Sequence, residues 1–156
     1  MSEEKVFDIT LGPALDADLS DKAARNRQLI VNAYKALKSG GDVGAMGLFE
    51  LVAPDVQFLE APSLPYGGTF HGVEGARAGN EGVLRAWRVF HCEIQEVTAA
   101  GELVIAYMWL RGSPYGSDEV CEGPVTELFR CKDDKIVEWR PIYWDTHRVR
   151  QVFGLA

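Results

Sequence analysis

The chain reads as an α+β domain in which helices pack on a curved, mainly antiparallel sheet. Three observations predict it. Apolar residues recur at helical spacing between residues 20 and 54. From Asp55 the period changes to two. After Trp87, long strand-like runs are separated only by short turn signals, and such connections between consecutive strands give an antiparallel meander. Helices first and strands later is the order of an α+β architecture.

Residues 1–19 carry no clear period and read as an N-terminal arm, leaving 20–156 as the domain. Ser20 is a good N-cap for a helix whose inner face is Ala23, Ile30, Ala33, Tyr34 and Leu37, and Gly40 and Gly41 end it. Asp42 then caps a shorter helix with Met46, Phe49 and Val52 on one side. Pro54 closes that helix, because proline disfavours helical geometry in the residue before it. In the strand that follows, Val56, Phe58 and Glu60 share one face, so an acid lies in line with two apolar side chains.

The Gly- and Pro-rich stretch from Pro62 to Gly79 reads as a loop leading into a helix of small residues that includes Ala76, Val83 and Trp87. Gly75, Gly79 and Gly82 weaken that helix, which points to close packing. Strands are expected near Val89 to Thr98, Glu102 to Arg111, Glu119 to Cys131 and Ile136 to Asp145. The turns between them are Ala99-Ala-Gly, Gly112-Ser-Pro and Lys132-Asp-Asp. The last strand ends on Asp145, directly before a short helix.

Composition narrows the function. A chain of 156 residues is about one domain, and 47% hydrophobic with 25% charged residues is ordinary globular usage. No apolar run approaches the roughly 20 residues of a membrane span. A formal charge of -7, with Lys and Arg scattered, argues against nucleic acid as a partner. The start Met-Ser-Glu-Glu-Lys lacks a signal pattern and the three cysteines are unpaired in spacing, which predicts a cytoplasmic protein with reduced thiols. Cys92, Cys121 and Cys131 fall in strands and read as core residues. His71, His91 and His147 have no ligand-like spacing, so no metal is expected. No Gly-x-Ser-x-Gly elbow is present, so covalent catalysis is not expected either.

Several segments, in this order, carry a family resemblance: Tyr34 to Asp42, Asp55-Val-Gln-Phe-Leu-Glu, Gly67-Gly-Thr-Phe-His-Gly-Val-Glu-Gly, and Lys135-Ile-Val-Glu-Trp-Arg to Trp144-Asp145. From about Ala24 to Gly154 the chain resembles the nuclear-transport-factor-2-like superfamily, an α+β cone, and within it the SnoaL-like polyketide cyclases and ketosteroid isomerases. That superfamily hosts isomerases, cyclases, hydrolases and plain binding modules, so the resemblance constrains fold more than function. In the isomerases it implies a tyrosine, a carboxylate base and a protonated acid, which fall on Tyr34, Glu60 and Glu127. Both acids are Glu here where the isomerases have Asp. The SnoaL-like cyclases use an aspartate at the end of the last strand as base, and Tyr143-Trp-Asp-Thr resembles that segment, which singles out Asp145. Asp145 reads equally well as the N-cap of the last helix. Tyr34 reads equally as a core tyrosine with a satisfied hydroxyl, Glu60 alternatively as a strand-end acid turned to solvent, and Glu127 as a cross-strand partner of Arg111 or Arg130.

The resemblance implies an apolar cavity without a cofactor, closed by carboxylates and a tyrosine. Proton abstraction beside a carbonyl needs a base at one place and hydrogen-bond donors where the negative charge develops. Phe58, Trp87, Trp109, Tyr143 and Trp144 are the aromatic side chains suited to a small apolar ligand. Three functions fit: a cofactor-independent isomerase or cyclase, an epoxide hydrolase-like site with Arg111 helping to activate water, and a non-catalytic binding or dimerisation module. A homodimer through the open face of the sheet is expected from the resemblance, and because an apolar sheet face needs covering.

Overall fold

The computed structural model of the chain describes residues 6–11, 21–39 and 47–155. Among them one seven-stranded sheet runs in the order β1-β4-β5-β6-β7-β2-β3. Its strands are β1 (Val6–Leu11), β2 (Val52–Glu60), β3 (Gly68–His71), β4 (Trp87–Ala100), β5 (Leu103–Pro114), β6 (Cys121–Lys132) and β7 (Lys135–Tyr143). The helices are α1 (Lys22–Ser39), α2 (Gly47–Glu50), α3 (Gly72–Ala86) and α4 (Thr146–Val152). Strands β4 to β7 form the antiparallel meander, and parallel pairs attach β1 to β4 and β2 to β7. None of the helices is long and apolar enough to cross a membrane.

Each helix shows its cause. The side chain of Asp21 accepts from the Ala24 N–H at 2.8 Å and so caps α1, whose Ile30, Val31, Ala33 and Tyr34 are buried. The Ser20 cap, the Gly40-Gly41 stop and the Asp42 cap expected from sequence lie outside the described residues. Helix α3 does pack closely. A Cβ built on Gly79 would come within 2.7 Å of ring atoms of both Phe70 and Phe58. The β6–β7 hairpin turns on Asp133 and Asp134, both with positive φ, as a two-residue turn of the twist-matching kind requires.

Several expectations need correction. The segment before Ser20 is not featureless. Val6–Leu11 is an edge strand with Phe7, Ile9 and Leu11 turned toward the core, and Asp8 Oδ2 lies 2.8 Å from Nδ1 of His91, its register partner on β4. Pro54 does not end a helix. It sits inside β2 where the register with β7 shifts between Val52 and Gln57, a place where a missing N–H disturbs no regular ladder. The stretch from Pro62 to Gly79 is loop only as far as Gly67, since β3 and the first half of α3 occupy the rest. Trp87 opens β4 instead of lying in the helix, and Asp145 lies just beyond β7.

Candidate functional site

Between α1, α3 and the inner face of the sheet lies a narrow cavity, with about 60 Å³ of room for the centres of water-sized molecules. Its lining is largely apolar, with Phe58, Met108, Leu110 and Trp139 from the sheet and Val83 and Leu84 from α3. The edge strand contributes Phe7 and Ile9. Polar groups are few, as in most small-molecule sites. They are Tyr34, Glu60, Asn80, Cys92, Glu127 and Tyr143.

Glu60 reaches the cavity because β2 alternates, burying Val56, Phe58 and Glu60 on one face. The residue is 4% exposed. Loss of water around the carboxyl raises its pKa from 4.5 to about 8, and the nearby charge of Glu127 adds to that, while the Ala61 backbone and the Tyr143 hydroxyl pull the other way. Tyr143 donates to Oε1 of Glu60 at 3.3 Å, and Tyr66 donates to the Tyr143 oxygen at 3.3 Å. Oε2 of Glu60 is buried and has no hydrogen-bond partner among the described residues.

Glu127 is the inward residue between Val125 and Phe129 on β6. Its Oε2 accepts a hydrogen bond from the Tyr34 hydroxyl on α1. Burial pushes the Glu127 carboxyl up, against smaller lowering influences from Tyr34 and from the indole N–H of Trp139. That indole Nε1 faces the carboxyl but falls outside hydrogen-bond geometry, with no formed bond among the described residues. Tyr34 is held well above the ordinary tyrosine range, by burial first and then by Glu127, so it stays a hydroxyl and a donor. Burial does the same to the Cys92 thiol, which makes it a poor nucleophile. Two carboxyls facing one apolar space resist ionising together, so they titrate as a pair.

The arrangement therefore offers a proton acceptor at Glu60, a donor pair at Tyr34 and Glu127, and an apolar volume beside them. Of the side chains singled out from sequence, Tyr34, Glu60, Glu127, Phe58 and Tyr143 come together there. Asp145, Trp109 and Trp144 do not. They line a separate groove beside α4, where Asp145 Oδ1 accepts from the Arg148 N–H at 2.9 Å as the helix N-cap and Trp144 is 82% exposed. Trp87 is fully buried against Tyr66, Phe90 and Phe153. Arg111 lies on the outer face against Glu122 at 3.5 Å, and Arg130 approaches Glu138 at 3.6 Å, so neither is the partner of Glu127.

Sequence reasoning missed Asn80, Trp139 and Tyr66. Asn80 had a legible signal, since it follows Ala76 by four and precedes Val83 by three, which puts an amide on the apolar stripe of α3. Tyr66 sits in a loop, where no periodicity reveals direction.

A family model described as SnoaL-like domain matches residues 31–139, well over half of the chain. Among solved structures, an NTF2-like protein of unknown function from Burkholderia pseudomallei K96243 is 21% identical with a TM-score of 0.72, covering 82% of this chain and 96% of its own. A candidate SnoaL-like polyketide cyclase from Jannaschia sp. CCS1 is 17% identical with a TM-score of 0.70, covering 90% and 99%. TerC, co-crystallized with polyporic acid, is 18% identical with a TM-score of 0.70, covering 83% and 98%. At these identities the likeness establishes the NTF2-like cone and not an activity. No protein of curated function matches.

Proposed function

The chain belongs to the SnoaL-like domain family, and from that premise we propose that it is a cofactor-independent acid–base isomerase or cyclase acting on an apolar, ring-containing carbonyl compound. The observation that carries this reading is the meeting of Glu60 with the Tyr34–Glu127 pair in one water-poor cavity. Ionised Glu60 takes a proton from the carbon beside the carbonyl, using the oxygen that has no partner among the described residues. Tyr143 holds the other oxygen and fixes the direction of attack. Negative charge then develops on the carbonyl oxygen, which accepts from Tyr34. In the free protein Tyr34 donates to Glu127; with the ligand in place that bond reverses, protonated Glu127 donating to the Tyr34 oxygen while the tyrosine's own O–H turns to the ligand. In an isomerase, Glu60 returns the proton to a different carbon. In a cyclase, the enolate carbon attacks a second carbonyl of the same molecule, and Glu127 or water protonates the new alkoxide.

The base role goes to Glu60 because Asp145 faces the separate groove. The test is exchange of α-deuterium from ring ketones, with binding measured in parallel. Glu60→Gln is expected to cut exchange by roughly 10²–10⁴-fold with affinity within a few-fold, whereas Asp145→Asn keeps both. Equal loss of binding and exchange in Glu60→Gln, or loss of neither, sinks the reading. TerC's complex with polyporic acid supports a ring-containing ligand for this cone. The epoxide hydrolase-like alternative loses its arginine, since Arg111 is more than half exposed on the outer face.

The outer face of the sheet also exposes Tyr107, Trp109 and Ile142. That supports a two-fold homodimer through the sheet, which sedimentation equilibrium checks directly.

A further inference from the structure

Asn80 is 5% exposed, lies on the cavity wall, and its Nδ2 has no hydrogen-bond partner among the described residues. An amide in the middle of a helix, facing apolar side chains, is inferior to leucine on two counts. Its helix propensity is lower, and its buried N–H groups are left unpaired. Such a group is satisfied only by something that enters the cavity. On β7, Trp139 Nε1 is a second buried donor, which faces Glu127 and meets no hydrogen-bond criterion among the described residues. The two unpaired donors thus stand on different walls, one on the helix and one on the sheet. Trp139 already faces Glu127, which leaves Asn80 as the wall donor with no acceptor among the described residues.

We infer that Asn80 is a ligand-binding residue that holds a second oxygen of the substrate, so that the natural ligand is a flat ring system with two separated oxygen functions instead of a simple ketone. The inference rests on the proposed ligand site but not on its chemistry. A carbonyl or hydroxyl oxygen on the far side of the ring accepts from Asn80 Nδ2 while the reacting carbonyl accepts at the Tyr34 end. Two fixed points define which ring carbon is presented to Glu60, which makes Asn80 a determinant of substrate choice and orientation.

The experiment is a binding series that needs no turnover. Isothermal titration of the wild type is run with 1-tetralone and with its 4-, 5-, 6- and 7-hydroxy derivatives, which share one skeleton and differ by a second oxygen. At least one hydroxy derivative should bind about tenfold or more tightly than 1-tetralone, the worth of one good buried hydrogen bond. Asn80→Leu should erase that gain and leave 1-tetralone within about twofold, and Asn80→Ala repeats the measurement should leucine disturb α3. A gain that survives both substitutions, the absence of any gain in the wild type, or failure of the whole series to bind overturns the inference. The gain should persist in Glu60→Gln, so a protein that binds in this pattern without exchanging deuterium refutes the catalytic proposal and leaves Asn80 assigned.

Discussion

The Tyr34 hydroxyl on α1 donates to Oε2 of Glu127 on β6, a bond between residues 93 positions apart that joins the helical layer to the sheet inside the cavity. Removing its donor leaves a buried carboxyl without its strongest partner. Tyr34→Phe is expected to lower stability by about 1–3 kcal/mol in urea denaturation at neutral pH. It should also reduce α-deuterium exchange by roughly tenfold or more, as loss of an oxyanion donor does.

Glu60 makes stability fall with rising pH. Its carboxyl titrates near 8 in the folded protein against 4.5 for the free group. Below the unfolded value both states hold the proton and this contribution is fully present. As pH rises from about 4.5 to 8 the unfolded chain releases the proton and the folded one retains it, so stability is lost across that window and levels off above it. The loss is on the order of 3–5 kcal/mol, shared with Glu127 because the two titrate as a pair. Denaturation curves at successive pH values should show the decline, and Glu60→Gln should flatten most of it. Activity should run the opposite way, rising toward pH 8 as the base ionises.

Asp145 caps α4 through the Arg148 N–H. Asp145→Ala is expected to cost about 1 kcal/mol of stability, read by thermal or urea unfolding. Ligand affinity at the cavity should stay unchanged, because the residue lines the other groove. A loss of turnover larger than the loss of stability explains would return the base role to Asp145.

Two glycines of α3 should answer oppositely to alanine. At Gly82 a Cβ meets nothing within 4 Å, and Gly82→Ala should stabilise by about 0.5–1 kcal/mol through helix propensity. At Gly79 a Cβ runs into Phe58 and Phe70, and Gly79→Ala should destabilise by about 1–3 kcal/mol. Because Phe58 also lines the cavity, Gly79→Ala should weaken ligand binding as well.

Much of the fold is written in local pattern. The change from helical spacing to period two at Asp55 put Glu60 in line with Val56 and Phe58, and the short connections predicted the β4 to β7 meander, although Gly112-Ser-Pro pairs with β4 inside β5 instead of turning. What sequence could not supply depends on partners distant along the chain. Phe7, Ile9 and Leu11 do alternate, but three residues are too few to distinguish a strand until β4 offers them a ladder. Pro54 looked like a helix stop because its tolerance in β2 comes from a register shift with β7, set some 80 residues later. At the site, Tyr34, Glu60 and Glu127 were singled out by the family resemblance, and the structure places all three on one cavity. Asp145 showed a carboxylate at a strand end but not which side of the sheet it would serve, since the direction changes once the strand has ended. Tyr66, coming from a loop, owes its place beside Tyr143 to tertiary packing alone.

The edge strand β1 gives the cavity a division of labour along the gene. Tyr34, Glu60 and Glu127, the groups we propose move protons, all fall within the segment that matches the family model, residues 31–139. Phe7 and Ile9 at one end of the chain, and Pro141 and Tyr143 at the other, also wall the cavity but lie outside that segment. Variation at the two termini can therefore reshape what fits without touching the proton-handling groups. A library randomised at Phe7, Ile9 and Pro141 is the natural starting point for retargeting this scaffold, with Tyr143 kept because it holds Glu60.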